Sequence, residues 1–264
     1  MNIDRRRLVS AGLATFAALF SIAGATAPPT AKTYTPQGRT WDSIKRLPDW
    51  SGVWVLSDES FGKDFVALRG GHLPLTAHYE AIRAANWATG QPRIDNEMKC
   101  MTEGMPASAG IPIGHEYLFT PGRVTMIFEN GLVRRIDTSG GKHPPESELN
   151  YTFAGHSIGH WEGKTLVVDT IGITSQSELL GGLRAVTEHT HLTERIFRKD
   201  RNILQIDTVV TDPEVFTRPY AYTHLYTHST SAPFEYYPCT DDNRDSVVNG
   251  RQTVDLTPPP LKQP

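Results

Sequence analysis

The chain has 264 residues, a formal net charge of -3 at pH 7, two cysteines and ten histidines. That near-balanced charge, with no basic stripe, speaks against a nucleic-acid partner. No G-x-G-x-x-G, P-loop, haem-attachment or C-x-x-C spacing occurs, so the common organic and redox cofactors lack support.

In chain order, Arg5-Arg6-Arg7 precedes an apolar run, Ala11 to Ala25, that ends in small residues at Ala27. This is the grammar of an export signal over residues 1–27, and the adjacent arginines suggest the twin-arginine type over an ordinary secretory one. The run is shorter than the ~20 residues a bilayer span needs, so no stable membrane anchor is expected. A periplasmic or secreted location follows. About 235 residues then remain, enough for one large β domain or one to two ordinary domains. In an oxidising compartment Cys100 and Cys239 could form a disulfide, with two buried free thiols as the alternative. Residues 28–48, rich in Pro, Thr and Lys, read as a flexible leader.

Asp49-Trp-Ser-Gly-Val-Trp54 opens the domain expected over residues 49–250. Thr76 as N-cap, good helix formers from Ala77 to Thr89 and Gly90 as stop predict a single inserted helix. Residues 91–114 read as a long irregular connection. Strands are then predicted over residues 117–120, 123–129, 132–136, 149–153, 165–171, 186–198, 203–211 and 221–229. Pro121-Gly122, Asn130-Gly131 and the 199–202 segment supply turns. Residues 251–264, with a Pro-rich end, read as a disordered tail. The fold class expected is an all-β antiparallel barrel or sandwich.

Gly155-His156-Ser157-Ile158-Gly159 matches the G-x-S-x-G nucleophile elbow, which needs a helix after the serine. Instead Glu162-Gly-Lys164 and a Val-rich run follow, which is the grammar of a β-hairpin. The hairpin reading is preferred, and a serine hydrolase is not expected.

The G-x-W at Gly52–Trp54 resembles the first strand of lipocalin-like (calycin) barrels. Beyond it, the chain resembles a family of uncharacterised exported bacterial proteins. The residues carrying the likeness are Cys100 with Gly104 and Pro106, Glu129 with Arg134-Arg135-Ile136, His143-Pro144, Gly155 through Thr170, Glu194-Arg195 and Asp212-Pro213. The chain departs from that pattern at Lys164, where aspartate is usual, and at Ser139–Gly141, where Asp-Gly-Arg is expected. The resemblance spans roughly residues 49–220. It implies a lipocalin-like barrel and no particular activity.

Three histidine pairs have even spacing, which places both members on one face of an extended chain: His156/His160, His189/His191 and His224/His228. His156 and His191 are the candidates for acid/base work, with Glu129 and Arg135 (or Arg134) paired across the Asn130-Gly131 hairpin. Glu194 has the opposite parity to His189 and His191 and so faces the other side of the strand. Trp54, Tyr117, Phe128, Tyr151 and Trp161, with His224 and His228, are candidates for binding a small apolar or aromatic molecule. The leading expectation is an enzyme of lyase, isomerase or hydrolase type without a cofactor. The alternatives are a non-catalytic binder of a hydrophobic compound, and a Zn or Fe enzyme using His189, His191, His224 and His228.

Overall fold

The computed structural model describes residues 37–70, 73–88, 96, 99–230, 233–235, 246–248 and 251–253. The expected export signal and Cys239, and with it the pairing to Cys100, lie outside the described residues.

Nine strands close into a lipocalin-like barrel in simple chain order. They are β1 (Val53–Leu56), β2 (Gly114–Thr120), β3 (Arg123–Phe128), β4 (Val133–Asp137), β5 (His156–Glu162), β6 (Thr165–Ile171), β7 (His191–Arg198), β8 (Ile203–Thr211) and β9 (Tyr220–Ser229). Every neighbouring pair is antiparallel except β4 and β5. Alternation decides what points inward, because successive strand side chains take opposite faces. Val124, Met126 and Phe128 are buried, and the register carries that face to Arg134 and Ile136, then to Ser157, Thr170, Leu192 and Glu194.

His156 to Gly159 of the G-x-S-x-G segment lie in β5, paired with β6 across Glu162–Thr165, and the turn between them uses Gly163 at φ 64°. Ser157 is therefore an interior strand residue, and no elbow forms.

Several elements differ from the sequence expectation. Residues 149–153 form no strand; only Thr152 makes an isolated bridge, to Ile173. That segment belongs to a long connection, residues 138–155, and parallel neighbours such as β4 and β5 require such a crossover. Pro144 and Pro145 within it lack backbone donors and suit a non-strand path. β7 starts at His191 rather than residue 186, because Asp212 accepts from the hydroxyls of Thr187 (2.7 Å) and Thr190 (2.6 Å) and holds a turn there.

The helical content also exceeds one inserted helix: α1 (Trp41–Ile44), α2 (Asp58–Gly70) and α3 (Ala77–Asn86) are present. In α2, Ser57 Oγ accepts from the Ser60 amide at 3.3 Å in the N-cap manner, and Asp58 and Glu59 suit the helix dipole. Its weakly amphipathic sequence, broken by Gly62, hid it from a periodicity reading. At α3 the Thr76 hydroxyl donates to the Glu214 carbonyl (3.0 Å) instead of capping. At the other extreme of the chain, β10 (Ser246–Val248) and β11 (Arg251–Thr253) form a separate hairpin, three residues of which fall in the segment expected to be tail.

Both barrel ends are occupied. At the end where β1 begins, Trp50 meets Trp161 (ring centroids 5.3 Å apart) and Phe119 (5.4 Å), and the Trp54 indole N–H donates to the Trp50 carbonyl at 3.0 Å. The Gly38 carbonyl accepts from the Gly122 amide and Leu47 packs on the core, so the expected leader is docked from there onward. At the opposite end, the 3-10 turn at residues 107–109 is buried, and Tyr226 Oη donates to the Ala109 carbonyl at 2.6 Å. The His224 ring donates to Asp64 of α2 at 2.7 Å.

Midway inside the barrel lies an ion pair. The Arg134 and Glu194 side chains are 0% and 1% exposed. The guanidinium donates through both terminal nitrogens to the two carboxylate oxygens, and further to Ser157 Oγ (3.1 Å) and Thr170 Oγ1 (2.8 Å). A charge buried this deeply persists only when its partners are complete, as they are here.

Candidate functional site

On the outer wall, Asp169 of β6 joins histidines from two directions. β6 and β7 are in register so that Asp169 faces Thr193, which brings His191 to the same outward face two residues earlier. His191 Nε2 lies 2.6 Å from Asp169 Oδ2. The 138–155 connection lays His143 against the other carboxylate oxygen, with Nε2 at 2.7 Å from Oδ1. His143 Nδ1 is in turn 2.8 Å from Nδ1 of His156, the first residue of β5. Four side chains thus form one linear chain, His191–Asp169–His143–His156.

The hydrogen-bond inventory sets the protons. Asp169 accepts from both neighbours, so His143 and His191 each donate through Nε2. With His143 in its neutral form, its Nδ1 lone pair accepts from His156 Nδ1–H. Among the described residues this leaves Nε2 of His156 as an unengaged lone pair and Nδ1 of His191 as the unengaged nitrogen at the other end. Burial, and after it the neighbouring His143, hold His156 below the usual histidine value, with Asp137 opposing them. The exposure is graded: the side chain of His143 is 16% exposed, Asp169 38% and His191 41%. The inner ring is sheltered and the two ends can be reached.

The structure brings His156 and His191 together and leaves the other expected site residues elsewhere. Glu129 pairs with neither Arg134 nor Arg135; its carboxylate accepts the amides of Gly114 (2.6 Å) and Glu235 (3.0 Å). Arg135 faces outward, and Arg134, of opposite parity, takes the interior position. The physical reason is that Glu129 lies past the end of β3, where it serves the β2 edge rather than the cross-strand pair. Trp54, Tyr117, Phe128 and Trp161 are buried in the packed core, whereas Tyr151 lies on the crossing connection.

Nor do the four histidines considered for a metal converge. His189 sits in the turn before β7, 3.2 Å from Glu214, and His191 is on the outer wall. His224 is inside with Asp64, and His228 lies at the far end of β9 beside Ser51. Among the described residues, no group of three or more His, Cys, Asp or Glu side chains is arranged to hold a metal ion.

Sequence reasoning passed over His143 and Asp169. His143 sits in an irregular segment, where spacing says nothing about its neighbours. Asp169 left a signal: it is the acidic residue of a Val-rich strand, and its parity opposes that of buried Val168 and Thr170. Comparison of the chain with models of known protein families and with characterised proteins finds no match.

Proposed function

We propose that this protein is an exported enzyme that performs metal-independent acid/base chemistry on a small apolar or aromatic molecule at the outer-wall cluster. The observation that carries the reading is the chain His191–Asp169–His143–His156, with hydrogen bonds of 2.6–2.8 Å and an unengaged ring nitrogen at each end. His156 Nε2 removes a proton from the substrate. The charge that develops on its ring is stabilised through His143 by Asp169, which also fixes the tautomer of His143. Protonated His191, held by the other oxygen of Asp169, returns a proton from Nδ1 to a second substrate atom. One proton is taken and one is given, which suits an isomerase or a lyase. The export part of the reading rests on the Arg5–Ala27 segment.

The test is incubation of the full chain with a panel of aromatic and alicyclic ketones, lactones and β-hydroxy acids, read by mass spectrometry and by deuterium uptake from heavy water. Turnover or exchange is expected, lost about 100-fold or more in Asp169→Asn and His156→Gln, since positioned acid/base groups supply about that much. His189→Gln is expected to leave it intact. Equal activity in Asp169→Asn would sink the reading. Tight binding without exchange across the panel would assign the protein to the non-catalytic binders instead.

A further inference from the structure

We infer that the cleft at the tryptophan-plugged end of the barrel binds a compact multivalent oxyanion, held by Lys164, Arg198 and Arg201. The cleft has a volume of about 860 Å³ and lies between the β5–β6 turn, the β7–β8 turn and the start of β1. That is within the size range of small-molecule sites.

Its charges are unusually distributed. The Arg198 guanidinium donates to main-chain carbonyls only: Asp49 at 2.5 Å, Asp200 at 3.2 Å, and Arg201. It also lies 5.4 Å from the ring centroid of Trp54. The group is thus fixed in position, and among the described residues no carboxylate lies within ion-pair distance of it, although Asp49 feels its charge. Lys164 and Arg201 line the same cleft, and neither side chain has an ion-pair or hydrogen-bond partner among the described residues. The two carboxylates present are committed to turns, Asp49 accepting the Ser51 amide at 2.9 Å and Asp200 the Asn202 amide at 2.8 Å. Three cations against two turn-bound carboxylates leave a positive surplus within a concave surface, the arrangement that recruits oxyanions.

This site is distinct from the imidazole cluster. His156 begins β5 and Lys164 follows its end, a separation of roughly 25 Å along an extended strand. The inference therefore does not depend on the proposed acid/base reading.

The experiment is isothermal titration of the full chain with pyrophosphate, and separately with citrate, at low ionic strength. Saturable one-to-one binding is expected, weakened about tenfold or more in the double variant Lys164→Ala/Arg201→Ala, as charge-assisted hydrogen bonds of this kind imply. Both side chains are exposed, so the variant keeps the fold. Lys63→Ala, which removes a cation from the outside of α2, is expected to bind as the unaltered chain does. Preference for pyrophosphate would identify a phosphate ligand, and preference for citrate a carboxylate one. Absence of saturable heat with both anions, or equal affinity in the double variant, would overturn the assignment.

Discussion

The barrel holds two carboxylate-centred assemblies that differ chiefly in their access to water. Inside, Glu194 is sealed against Arg134, and the Ser157 and Thr170 hydroxyls take up donors of the guanidinium. On the outer wall, one strand away, Asp169 links two imidazoles and a third hangs from the chain, with one nitrogen left over at each end. The inner group is satisfied and closed, so it can only hold the strands in register. The outer group is half-exposed and retains proton-accepting capacity, so it can act on something else. A charged cluster in a barrel thus belongs to structure or to chemistry according to what remains unsatisfied after folding.

That contrast can be broken most forcefully at the ion pair. Glu194→Ala strands a buried guanidinium and is expected to cost about 3–5 kcal/mol in denaturant unfolding, whereas Arg134→Met/Glu194→Leu together should recover much of the loss. An unchanged midpoint for Glu194→Ala would show that water already reaches the pair. Asp169→Asn should do the reverse. Activity falls by two orders of magnitude or more, while stability moves by less than about 1 kcal/mol, because the lost contacts are partly exposed. A large loss of stability there would turn the outer cluster into a structural one.

The pH dependence separates the two regions again. His115, inside the barrel and 3.2 Å from Tyr117 Oη, is depressed by burial to about 3. The unfolded chain takes up its proton near pH 6.5, and the folded protein does not until about 3. Stability from this group is therefore complete above pH 6.5 and falls as the pH drops from 6.5 toward 3, by about 1.4 kcal/mol per pH unit. His115→Gln should flatten that acid limb in urea titrations at successive pH values; an unaltered limb would mean the ring is protonated in place. The smallest effect is expected at Arg195, next in sequence to Glu194. Its pair with Glu162 has the same chemistry but side chains 47% and 45% exposed, so Arg195→Ala should cost under about 1 kcal/mol in the same unfolding assay.

Much of the barrel was legible because it rests on local rules. β6 and β8 match the predicted spans at both ends, and the hairpins at Pro121-Gly122 and Asn130-Gly131 lie where turn chemistry places them. Strand parity also set Glu194 on the face opposite His191, as found. What was missed depends on contacts distant in sequence. The turn before β7 exists because Asp212 collects two hydroxyls some 22 and 25 residues away. Helix α2 is stabilised by packing on the barrel end, where Asp64 meets His224, rather than by its own periodicity.

The same division holds for the site. The sequence alone singled out His156 and His191, and determined that Ser157 sits in a hairpin and that only one of two adjacent arginines can enter the interior, because side-chain direction along a strand alternates. Only the tertiary structure decided which arginine went in, and that His143 and Asp169 connect the two histidines. Those outcomes depend on the register of β6 against β7 and on the path of the 138–155 connection. Register and crossover are settled by burying a whole face at once, a cooperative property that no single segment encodes.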